Sequence, residues 1–515
     1  MREPKQSGPR VMPVSLLAQD RNCLIIGGGR IAFRKLGHLI DAGAVVTVVS
    51  PDISDAITAL QEQGQIRCVN RRFDPSDLDG VFLAFAATDD VAVNASVLEE
   101  CRRRDVLCCA VDRNWRESDF VTPATVRKDE LTVSVSTSGQ SCRRSRMIKA
   151  SLARHLDKVD SADLMIMGTS HEFLSVSERE PYHLAGKRLE MMGSMLMQIW
   201  GIHEFMILNT CNRIELHVVA ADHEETRLLL ERLMGFDGLN PSGYYVKRGM
   251  DAFRHSALLL AGLLSQTPGE NHIVAQVKEA VADAVEQGWG AGMLQGWLSS
   301  SMHVAKHIRA ETQPLLRDFE IEDLCLDYLV AEQPGFLETP LMILGAGVVG
   351  CGIVKRFLAR SSRGTCIWCY HVNRPKITED ITDRITLCDF NALRDELAKA
   401  PAIVCATSSP GHVLHQGHAP FLDQEHEVAV VDLAMPRNVA PELDGITSNI
   451  HVADLDDLKH WYRREAADMS QIMECSYRIA TEHQEMYEKL TSSFQGGNAL
   501  ERPGSDSDDE RPASN

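Results

Sequence analysis

Short apolar runs alternate with helical patterns along this chain, and in two places the apolar run ends in glycines. The run NCLIIGGG covers residues 22–29 and is followed by a helix-compatible stretch to residue 43, then by a second apolar run, AVVTVVSPD. The run LMILGAGVVG covers residues 341–350 and is followed by a helical stretch to Arg360 and by TCIWCYHVNRP. Strand, glycine turn, helix and strand in this order form the unit that binds dinucleotides. The pattern therefore predicts two dinucleotide-binding domains.

A different pattern fills the rest of the chain. Residues 160–320 begin with two predicted strands, in DLMIMGTSH and FMILNTCNRIELHVVA, and continue with mostly helical periodicity. Strand-like runs over 376–460 complete the second nucleotide domain, and apolar positions at helical spacing predict one helix from Trp461 to Leu490. We therefore predict an α/β multidomain protein: two Rossmann-type dinucleotide-binding domains flanking an α+β domain, plus a C-terminal long helix.

Composition and charge narrow the class of protein. A chain of 515 residues has room for about three to five domains. The formal net charge of −19 argues against a protein that coats DNA or an anionic membrane. The longest strongly apolar run, 257–264, is far shorter than the roughly 20 residues of a membrane span. The 14 cysteines are scattered, which indicates reduced thiols in a cytoplasm, and Cys366 and Cys369 have CxxC spacing without a second pair, so no metal site is predicted.

The two glycine turns predict different cofactors. Small residues let the backbone approach a pyrophosphate that the following helix N-terminus attracts. The second strand of the first domain ends at Pro51 and Asp52; a carboxylate there accepts hydrogen bonds from a ribose diol and repels a 2′-phosphate, which favours NAD. The equivalent strand of the second domain ends at Asn373 and Arg374, where a cation suits the 2′-phosphate of NADPH. The residues of the two turns are Gly27, Gly28, Gly29, Arg30 and Ile31 in the first, and Gly345, Ala346, Gly347, Val348, Val349 and Gly350 in the second.

A cysteine with polar neighbours follows one of the predicted strands between the nucleotide domains. Cys211 lies among Thr210, Asn212 and Arg213. The thiolate is the reactive form of cysteine, a nearby cation favours it, and a guanidinium can clamp a substrate carboxylate. From these residues alone, a catalytic nucleophile and a buried structural thiol both remain open.

The N-terminal segment resembles a known family. The ordered motifs are MPVSLLAQDRNCLIIGGGRIAFRK, FLAFAATDD, LCCAVDRNWRESDFVTPATV and LTVSVSTSGQS. Together they resemble the precorrin-2 dehydrogenase/sirohydrochlorin ferrochelatase module of siroheme synthesis. The resemblance implies oxidation of precorrin-2 to sirohydrochlorin with NAD, nucleotide contacts at Arg30, Ile31, Pro51 and Asp52, and an acid/base carboxylate at Asp112. A strand-end turn residue is the alternative for Asp112, and iron insertion stays open.

The remainder of the chain, from about Asp163 to Leu490, resembles a second family. The motifs GTSHEFLSVSERE, NTCNRIE, PGENHIVAQVKEA, AKHIRAET, LGAGVVG and DLAMPRNVAPEL are in the order and spacing of glutamyl-tRNA reductase. The resemblance implies that Cys211 attacks the ester carbonyl of glutamyl-tRNA(Glu) to form a thioester. NADPH then reduces this thioester to glutamate-1-semialdehyde, the precursor of 5-aminolevulinate.

The same resemblance assigns roles to further residues. It implies that His255 is a histidine important for activity. The alternative is that His255 is an ordinary histidine on a helix surface. It implies substrate contacts at Thr210, Asn212, Arg213, Ser265, Glu270, Asn271, His272 and Gln276. The sequence departs from the family at Glu172, Leu264 and His272, where the family has lysine, aspartate and glutamine.

We therefore predict a bifunctional enzyme of tetrapyrrole biosynthesis with glutamyl-tRNA(Glu) and precorrin-2 as substrates and no membrane or DNA partner. The alternatives are that one half alone is active, most readily the reductase, or that the chain is a non-catalytic regulator sensing NAD(P)H or tetrapyrrole. The family's dimerisation domain is not matched, so a homodimer stays open, as does handover of glutamate-1-semialdehyde to its aminomutase. The predicted parts are a flexible N-terminus (1–11), the precorrin-2 dehydrogenase-like module (12–158), the catalytic domain (160–318), the NADPH-binding domain (319–460), a spinal-type helix (461–493) and a disordered acidic tail (494–515).

Overall fold

The chain divides into two compact units in the computed structural model, Met1–Arg154 and His155–Asn515. Among the described residues, every helix is too short or too polar to cross a membrane. The predicted acidic tail, Asn373 and most of the predicted flexible N-terminus lie outside the described residues. The structure describes residues 11–221, 224–312, 320–372, 374–375, 383–422, 425–463 and 469–492.

The first unit is built on a five-stranded parallel sheet with strand order β3-β2-β1-β4-β5. Alternate residues of β1 face opposite layers: Cys23 and Ile25 join the core beneath α1, whereas Leu24 and Ile26 join the core beneath α3. Both faces are therefore covered, which explains the continuous apolar runs. The bounds are β1 Asn22–Ile26, α1 Arg30–Ile40, β2 Val45–Val49, α2 Asp55–Glu62, β3 Arg67–Val69, β4 Leu83–Ala86, α3 Val91–Arg103, β5 Leu107–Ala110, β6 Ala124–Lys128, β7 Leu131–Val135 and α4 Cys142–Ala153, with β6 and β7 forming a separate antiparallel pair.

The second unit begins with a four-stranded antiparallel sheet of order β11-β8-β10-β9. One face of the sheet packs against α9, α10 and α11, and the opposite face packs against α7 and α8. The bounds are α5 Leu156–Val159, β8 Asp163–Ser170, α6 Val176–Arg179, α7 Gly186–Leu196, β9 Ile202–Asn209, β10 Arg213–Ala220, α8 Glu224–Met234, β11 Tyr245–Arg248, α9 Met250–Leu260, α10 His272–Glu286 and α11 Gly292–Thr312.

A six-stranded parallel sheet of order β14-β13-β12-β15-β16-β17 follows in the same unit. Along the chain, one Rossmann-type sheet therefore precedes the α+β domain and one follows it, so the predicted fold class is confirmed. The bounds are α12 Ile321–Glu332, β12 Leu341–Leu344, α13 Val348–Arg360, β13 Cys366–Tyr370, β14 Ile385–Asp389, α14 Leu393–Glu396, β15 Ala402–Cys405, β16 Val428–Asp432, β17 Ile450–Ala453, α15 Leu455–Arg463, α16 Ser470–Glu482 and α17 Gln484–Thr491.

The prediction of one continuous helix from residue 461 to residue 490 is wrong. Met469 and His483 lie outside helices, so the segment consists of the end of α15 followed by α16 and α17. The apolar side chains of α16, Ile472 and Ile479, are buried in the core that also contains α9 and α11. The helical periodicity therefore serves packing within this unit, and the chain folds back onto the α+β domain.

The first glycine of each nucleotide turn is fixed by backbone geometry. Gly27 has φ +121° and Gly345 has φ +120°, a region that side chains other than hydrogen rarely adopt. A Cβ at Gly345 would also overlap the backbone carbonyl oxygen of Ala406, at the end of β15. The close crossing of these two strand ends therefore requires glycine before any ligand binds.

We expect Gly345→Ala to lower the free energy of unfolding of the second unit by at least about 1–3 kcal/mol, because it adds backbone strain and a clash. Gly347→Ala is the matched control: that position has φ −78° and open space around it, so the loss should stay below about 1 kcal/mol. Urea unfolding of the two variants measures the difference. Equal stabilities would show that the crossing can relax and that this account of Gly345 is wrong.

Candidate active sites

A cleft of about 1160 Å³ opens in the first unit at the carboxyl ends of β1, β2 and β4. A Cβ at Gly28 would overlap the backbone carbonyl oxygen of Asp52, so the glycine turn and the end of β2 pack directly on each other. The first turn of α1 has no acidic residue, which leaves its positive dipole end available to an anion. The cleft brings together all seven residues that the sequence predicts to contact a dinucleotide: Gly27, Gly28, Gly29, Arg30, Ile31, Pro51 and Asp52.

Asp112 lies at the end of β5 and is held by two asparagines. Its Oδ1 accepts the Asn114 backbone N–H at 2.8 Å, and its Oδ2 accepts the Asn94 Nδ2–H at 2.8 Å. Asn94 is fully buried and its Oδ1 accepts hydrogen bonds from the backbone and hydroxyl of Thr88, which lines the cleft. Asp112 therefore caps the turn that follows β5 and connects to the cleft wall through Asn94, a residue that the sequence analysis did not single out; these contacts leave both of its predicted roles open.

Cys211 occupies the tight turn between β9 and β10. The Thr210 hydroxyl accepts the backbone N–H groups of Asn212 and Arg213 at 3.2 and 3.1 Å, so threonine closes the turn. The Arg179 Nη2–H donates to the Cys211 carbonyl oxygen at 3.1 Å. These contacts fix the backbone that carries the thiol and leave the half-buried side chain of Cys211 beside the guanidinium groups.

The electrostatics of this turn favour the thiol over the thiolate. Burial and, to a smaller extent, the carboxyl group of Glu270 raise the pKa of Cys211 to about 12, although Arg179 and Arg213 act in the opposite direction. Burial also raises the pKa of Glu270, against the hydroxyl groups that hydrogen-bond to it. The cations near the cysteine are present as the sequence predicts, but burial has a larger effect on the pKa of Cys211 than they have.

A fully buried carboxylate, Glu215, organises the strand after the turn. Its oxygens accept hydrogen bonds from Arg213 Nη1 at 2.7 Å, His217 Nε2 at 2.6 Å and His255 Nε2 at 2.9 Å, and from the Tyr245 hydroxyl. These donors hold the pKa of Glu215 well below its usual value although burial acts in the opposite direction. The predicted site residue His255 is thus joined to Arg213 through a residue that the sequence analysis missed. Alternation in RIELH, which puts Arg213, Glu215 and His217 on one face of an apolar strand, is the signal that reveals it.

Arg213 is used differently from the predicted clamp. One end of its guanidinium binds Glu215 and the other binds the Leu264 carbonyl oxygen, which precedes the predicted site residue Ser265. Several buried polar atoms around the turn have no hydrogen-bond partner within the described part of the chain. They are His171 Nδ1, Arg179 Nε, Asn212 Oδ1 and Arg213 Nε. Such atoms cost about 1–3 kcal/mol each when unpaired, and their concentration beside Cys211 is typical of a site for a polar ligand.

The predicted residues Asn271 and His272, which follow Glu270, contact the start of the nucleotide domain. Asn271 Nδ2–H donates to Glu320 Oε1 at 3.1 Å, and His272 Nε2 lies 3.1 Å from Glu322 Oε1, which raises the pKa of His272. Glu320 immediately precedes α12, and Glu322 lies within it. These contacts tie the loop after α9 to the first helix of the nucleotide domain. Gln276 is half-buried on α10, one turn after His272.

The second glycine turn, Gly345 to Gly350, connects β12 to α13, whose first turn has no acidic residue. Ala346 and Val349 of this turn pack against the same hydrophobic core as Cys211. A two-pronged ion pair between Arg437 and Glu180, with both N–O distances 3.0 Å, holds the nucleotide domain to the α+β domain. The thiol of Cys211 and the glycine turn therefore lie at the border of the same core. The predicted cofactor residue Arg374 is exposed after the end of β13.

We expect Glu270→Gln to lower the pKa of Cys211, because the substitution removes the negative charge that opposes thiolate formation. The rate of iodoacetamide labelling of Cys211, followed against pH by peptide mass spectrometry, should rise at lower pH than in the wild type. Glu279→Gln, an exposed change on α10, is the control and should leave the profile in place. An unchanged profile for Glu270→Gln would show that Glu270 does not act on the thiol.

We expect Glu215→Gln to lower the free energy of unfolding of the second unit by about 3–5 kcal/mol, because it leaves Arg213 buried without a counter-charge. The pKa of Glu215 is depressed, so its stabilisation is present above the unfolded-state pKa of about 4.3 and is lost as the pH falls below it. Thermal unfolding at a series of pH values should therefore show wild type and variant converging in acid. Glu279→Gln again serves as control, and a variant as stable as wild type at neutral pH would contradict the role given to Glu215.

Three family models match the chain in succession. The first, putative NAD(P)-binding, covers residues 14–124; the second, the N-terminal domain of glutamyl-tRNAGlu reductase, covers 167–312; the third, shikimate/quinate 5-dehydrogenase, covers 331–461. Each model covers less than half of the chain. The order of the matches agrees with the two nucleotide domains and the intervening α+β domain.

Named relatives divide the chain in the same way. A siroheme synthase of Photobacterium profundum is 39% identical over 152 residues, which are 29% of this chain and 32% of that protein. A glutamyl-tRNA reductase of Geobacter sulfurreducens is 26% identical over 308 residues, 58% of this chain and 70% of that protein. The solved glutamyl-tRNA reductase of Methanopyrus kandleri is 23% identical, with a TM-score of 0.32, over 65% of this chain and 79% of its own. The chain spans about a third of the length of the siroheme synthases that it matches. It joins a segment similar to siroheme synthases to a segment similar to glutamyl-tRNA reductases, as the two sequence resemblances predict.

Proposed function

We propose that the chain is a bifunctional oxidoreductase of tetrapyrrole biosynthesis. The second unit reduces glutamyl-tRNA(Glu) to glutamate-1-semialdehyde with NADPH, and the first unit oxidises precorrin-2 to sirohydrochlorin with NAD. The observation that carries the proposal is the Cys211 turn, whose backbone is fixed on both sides and whose neighbours present unpaired buried polar atoms. Those atoms suit the polar glutamyl group of a substrate.

In the first step, the sulfur of Cys211 attacks the ester carbonyl carbon of glutamyl-tRNA. The carbon–sulfur bond forms, the ester carbon–oxygen bond breaks, and the tRNA hydroxyl leaves with the proton that the thiol releases. Arg179 and Arg213 stabilise negative charge as it develops on sulfur, and Glu270 is the carboxyl group whose charge raises the pKa of the thiol. A positioned carboxyl group can carry the proton between the thiol and the leaving group.

The second step reduces the thioester. The turn from Gly345 to Gly350 fits a dinucleotide, since Gly347 has open space around it and the N-terminus of α13 is free of acidic residues. NADPH held at this turn would supply the hydride. The chain itself holds the acyl group on Cys211, at the border of the core that Ala346 and Val349 of the turn also contact. When the aldehyde leaves, the sulfur of Cys211 is released as a thiolate.

His255 acts in this proposal as a positioning residue. Burial lowers its pKa, which favours the neutral ring, and Glu215 acts in the opposite direction. Its Nε2 touches Glu215, which in turn holds Arg213 next to the cysteine. The other substrate contacts that the resemblance implies are Thr210, Asn212, Ser265, Asn271, His272 and Gln276.

In the first unit, the cleft beside Gly27 and Asp52 would hold NAD. Asp52 is exposed at the end of β2, where its carboxylate can accept hydrogen bonds from the ribose hydroxyl groups. The acid/base role falls to Asp112, which receives the proton when hydride leaves precorrin-2. One observation favours a second candidate: both oxygens of Asp112 already accept hydrogen bonds from Asn114 and Asn94, as expected for a half that binds NAD without oxidising precorrin-2.

A paired assay on one preparation tests the proposal. Cys211→Ser should reduce NADPH-dependent turnover of glutamyl-tRNA by more than about 10³-fold and leave precorrin-2 oxidation unchanged. Asp112→Ala should lower precorrin-2 oxidation by about 10²-fold or more and leave the reductase unchanged. Each substrate is assayed with NAD(H) and NADP(H), since the proposal assigns NADPH to glutamyl-tRNA and NAD to precorrin-2.

Three outcomes of this assay contradict parts of the proposal. Loss of both activities in Cys211→Ser would show that the two halves are not independent. Unchanged precorrin-2 oxidation in Asp112→Ala would remove the acid/base role. A wild-type protein that binds NADPH but leaves glutamyl-tRNA unreduced would favour a sensing regulator.

A further inference from the structure

Three histidines meet where the C-terminal helices pack on α11, and none of them belongs to the candidate active sites. His303 and His307 lie one turn apart on α11, and His483 lies between α16 and α17. The ring centroids of His303 and His307 are 4.6 Å apart, and those of His307 and His483 are 4.9 Å apart. One ring nitrogen of each histidine lies within 4.8 Å of the other two.

The protonation of His483 is set by its second nitrogen. His483 Nδ1 lies 2.9 Å from the Ile479 carbonyl oxygen, which only accepts hydrogen bonds, so Nδ1 carries the proton. The lone pair of His483 Nε2 therefore points toward His307 Nδ1, 3.0 Å away. Histidines that bind metals almost always donate their other ring N–H in this way, which fixes the tautomer and orients the ring.

His483 lies at the junction between α16 and α17, and its Nε2 reaches His307 on α11. His483 has φ −98° and ψ 24°, and its ring lies back over the last turn of α16, where Nδ1 meets the Ile479 carbonyl oxygen. The α16 residues Ile472 and Ile479 are buried in the core with α11, so the junction is held against that helix. His303 and His307 are spaced four residues apart, which puts them on the same helix face.

We propose that His303, His307 and His483 bind a divalent transition-metal ion of the Zn²⁺ class, with water as the fourth ligand. Neutral imidazole is a preferred ligand of such ions. At Zn–N distances of about 2.0–2.1 Å, tetrahedral geometry places two ligand nitrogens roughly 3.3 Å apart, close to the separation of His307 Nδ1 and His483 Nε2. The ion replaces the proton that these two nitrogens share, and that proton moves to the outer nitrogen of exposed His307.

The consequence of binding is a clamp between α11 and the C-terminal helices. Two ligands come from α11 and the third from the junction that follows α16, so the ion joins segments about 180 residues apart in sequence. An ion that binds the folded arrangement and not the unfolded chain raises the temperature of unfolding. This site does not depend on the proposed function, because metal binding is measured without turnover.

Titration with Co²⁺ tests the proposal, because its visible absorption becomes intense in a tetrahedral site. The wild-type chain should bind one more equivalent of Co²⁺ than the double variant His307→Gln/His483→Gln, with an intense visible band that added Zn²⁺ removes. The single variant His303→Gln should weaken Co²⁺ binding by more than about tenfold. His451→Gln, an exposed histidine of β17, is the matched control and should bind as the wild type does.

The comparison of variants separates this site from the cysteines, which are the same in every protein tested. Zn²⁺ should also raise the unfolding temperature of the second unit in the wild type and in His451→Gln, but not in His303→Gln, whose exposed side chain is replaced without disturbing the core. Equal Co²⁺ stoichiometry, spectrum and affinity in wild type and His303→Gln would overturn the proposal. So would a wild-type chain that binds no Co²⁺ with a tetrahedral spectrum.

Discussion

The buried charge of Glu215 is the constraint on which the candidate reductase site depends. A carboxylate removed from water is costly unless donors surround it, and here β10 supplies two, β11 one and α9 one. The guanidinium of Arg213 forms an ion pair with Glu215 and also donates a hydrogen bond to the carbonyl oxygen of Leu264, in the loop that leads to Glu270. Because Arg213 directly follows the cysteine turn, the position of the thiol is set by a charge cluster two residues further along the strand.

In both nucleotide domains a glycine allows two strand ends to approach each other closely. In each, the first strand of the sheet crosses close to the end of a neighbouring strand, at Ala87 in the first domain and at Ala406 in the second. Gly27 and Gly345 have nearly equal φ angles for this reason. The next residue along each neighbouring strand is a threonine, which donates to a buried asparagine, Asn94 in one case and Asn438 in the other. The two domains differ in the polar group that follows the second strand, which is Asp52 after β2 and Arg374 after β13. The expected preference for NAD or NADPH rests on this difference.

Patterns of local origin could be predicted from the sequence, and features that depend on distant partners could not. The strands, glycine turns and α+β domain follow from apolar periodicity and from residues that only a tight turn requires. The role of Arg213 could not be predicted, because its partner Glu215 becomes costly to leave unpaired only once helix α9 packs on the sheet that β11 completes. The interruption at His483 was also missed, since apolar spacing reports which face of a segment is buried and not whether the segment is continuous.

The protonation state of Cys211 depends on a balance between burial and the charges of its neighbours. A thiolate formed in advance would be reactive toward oxidants, and in this site burial together with Glu270 keeps the sulfur protonated. Arg179 and Arg213 then matter most when negative charge begins to move onto the sulfur, so in the proposed reaction they stabilise the transition state more than the resting enzyme. The nearby unpaired polar atoms act in the same direction, because a bound glutamyl group that satisfies them positions its ester carbonyl carbon before the proton leaves. The site is therefore arranged so that binding of the substrate, and not the resting structure, completes the conditions for attack.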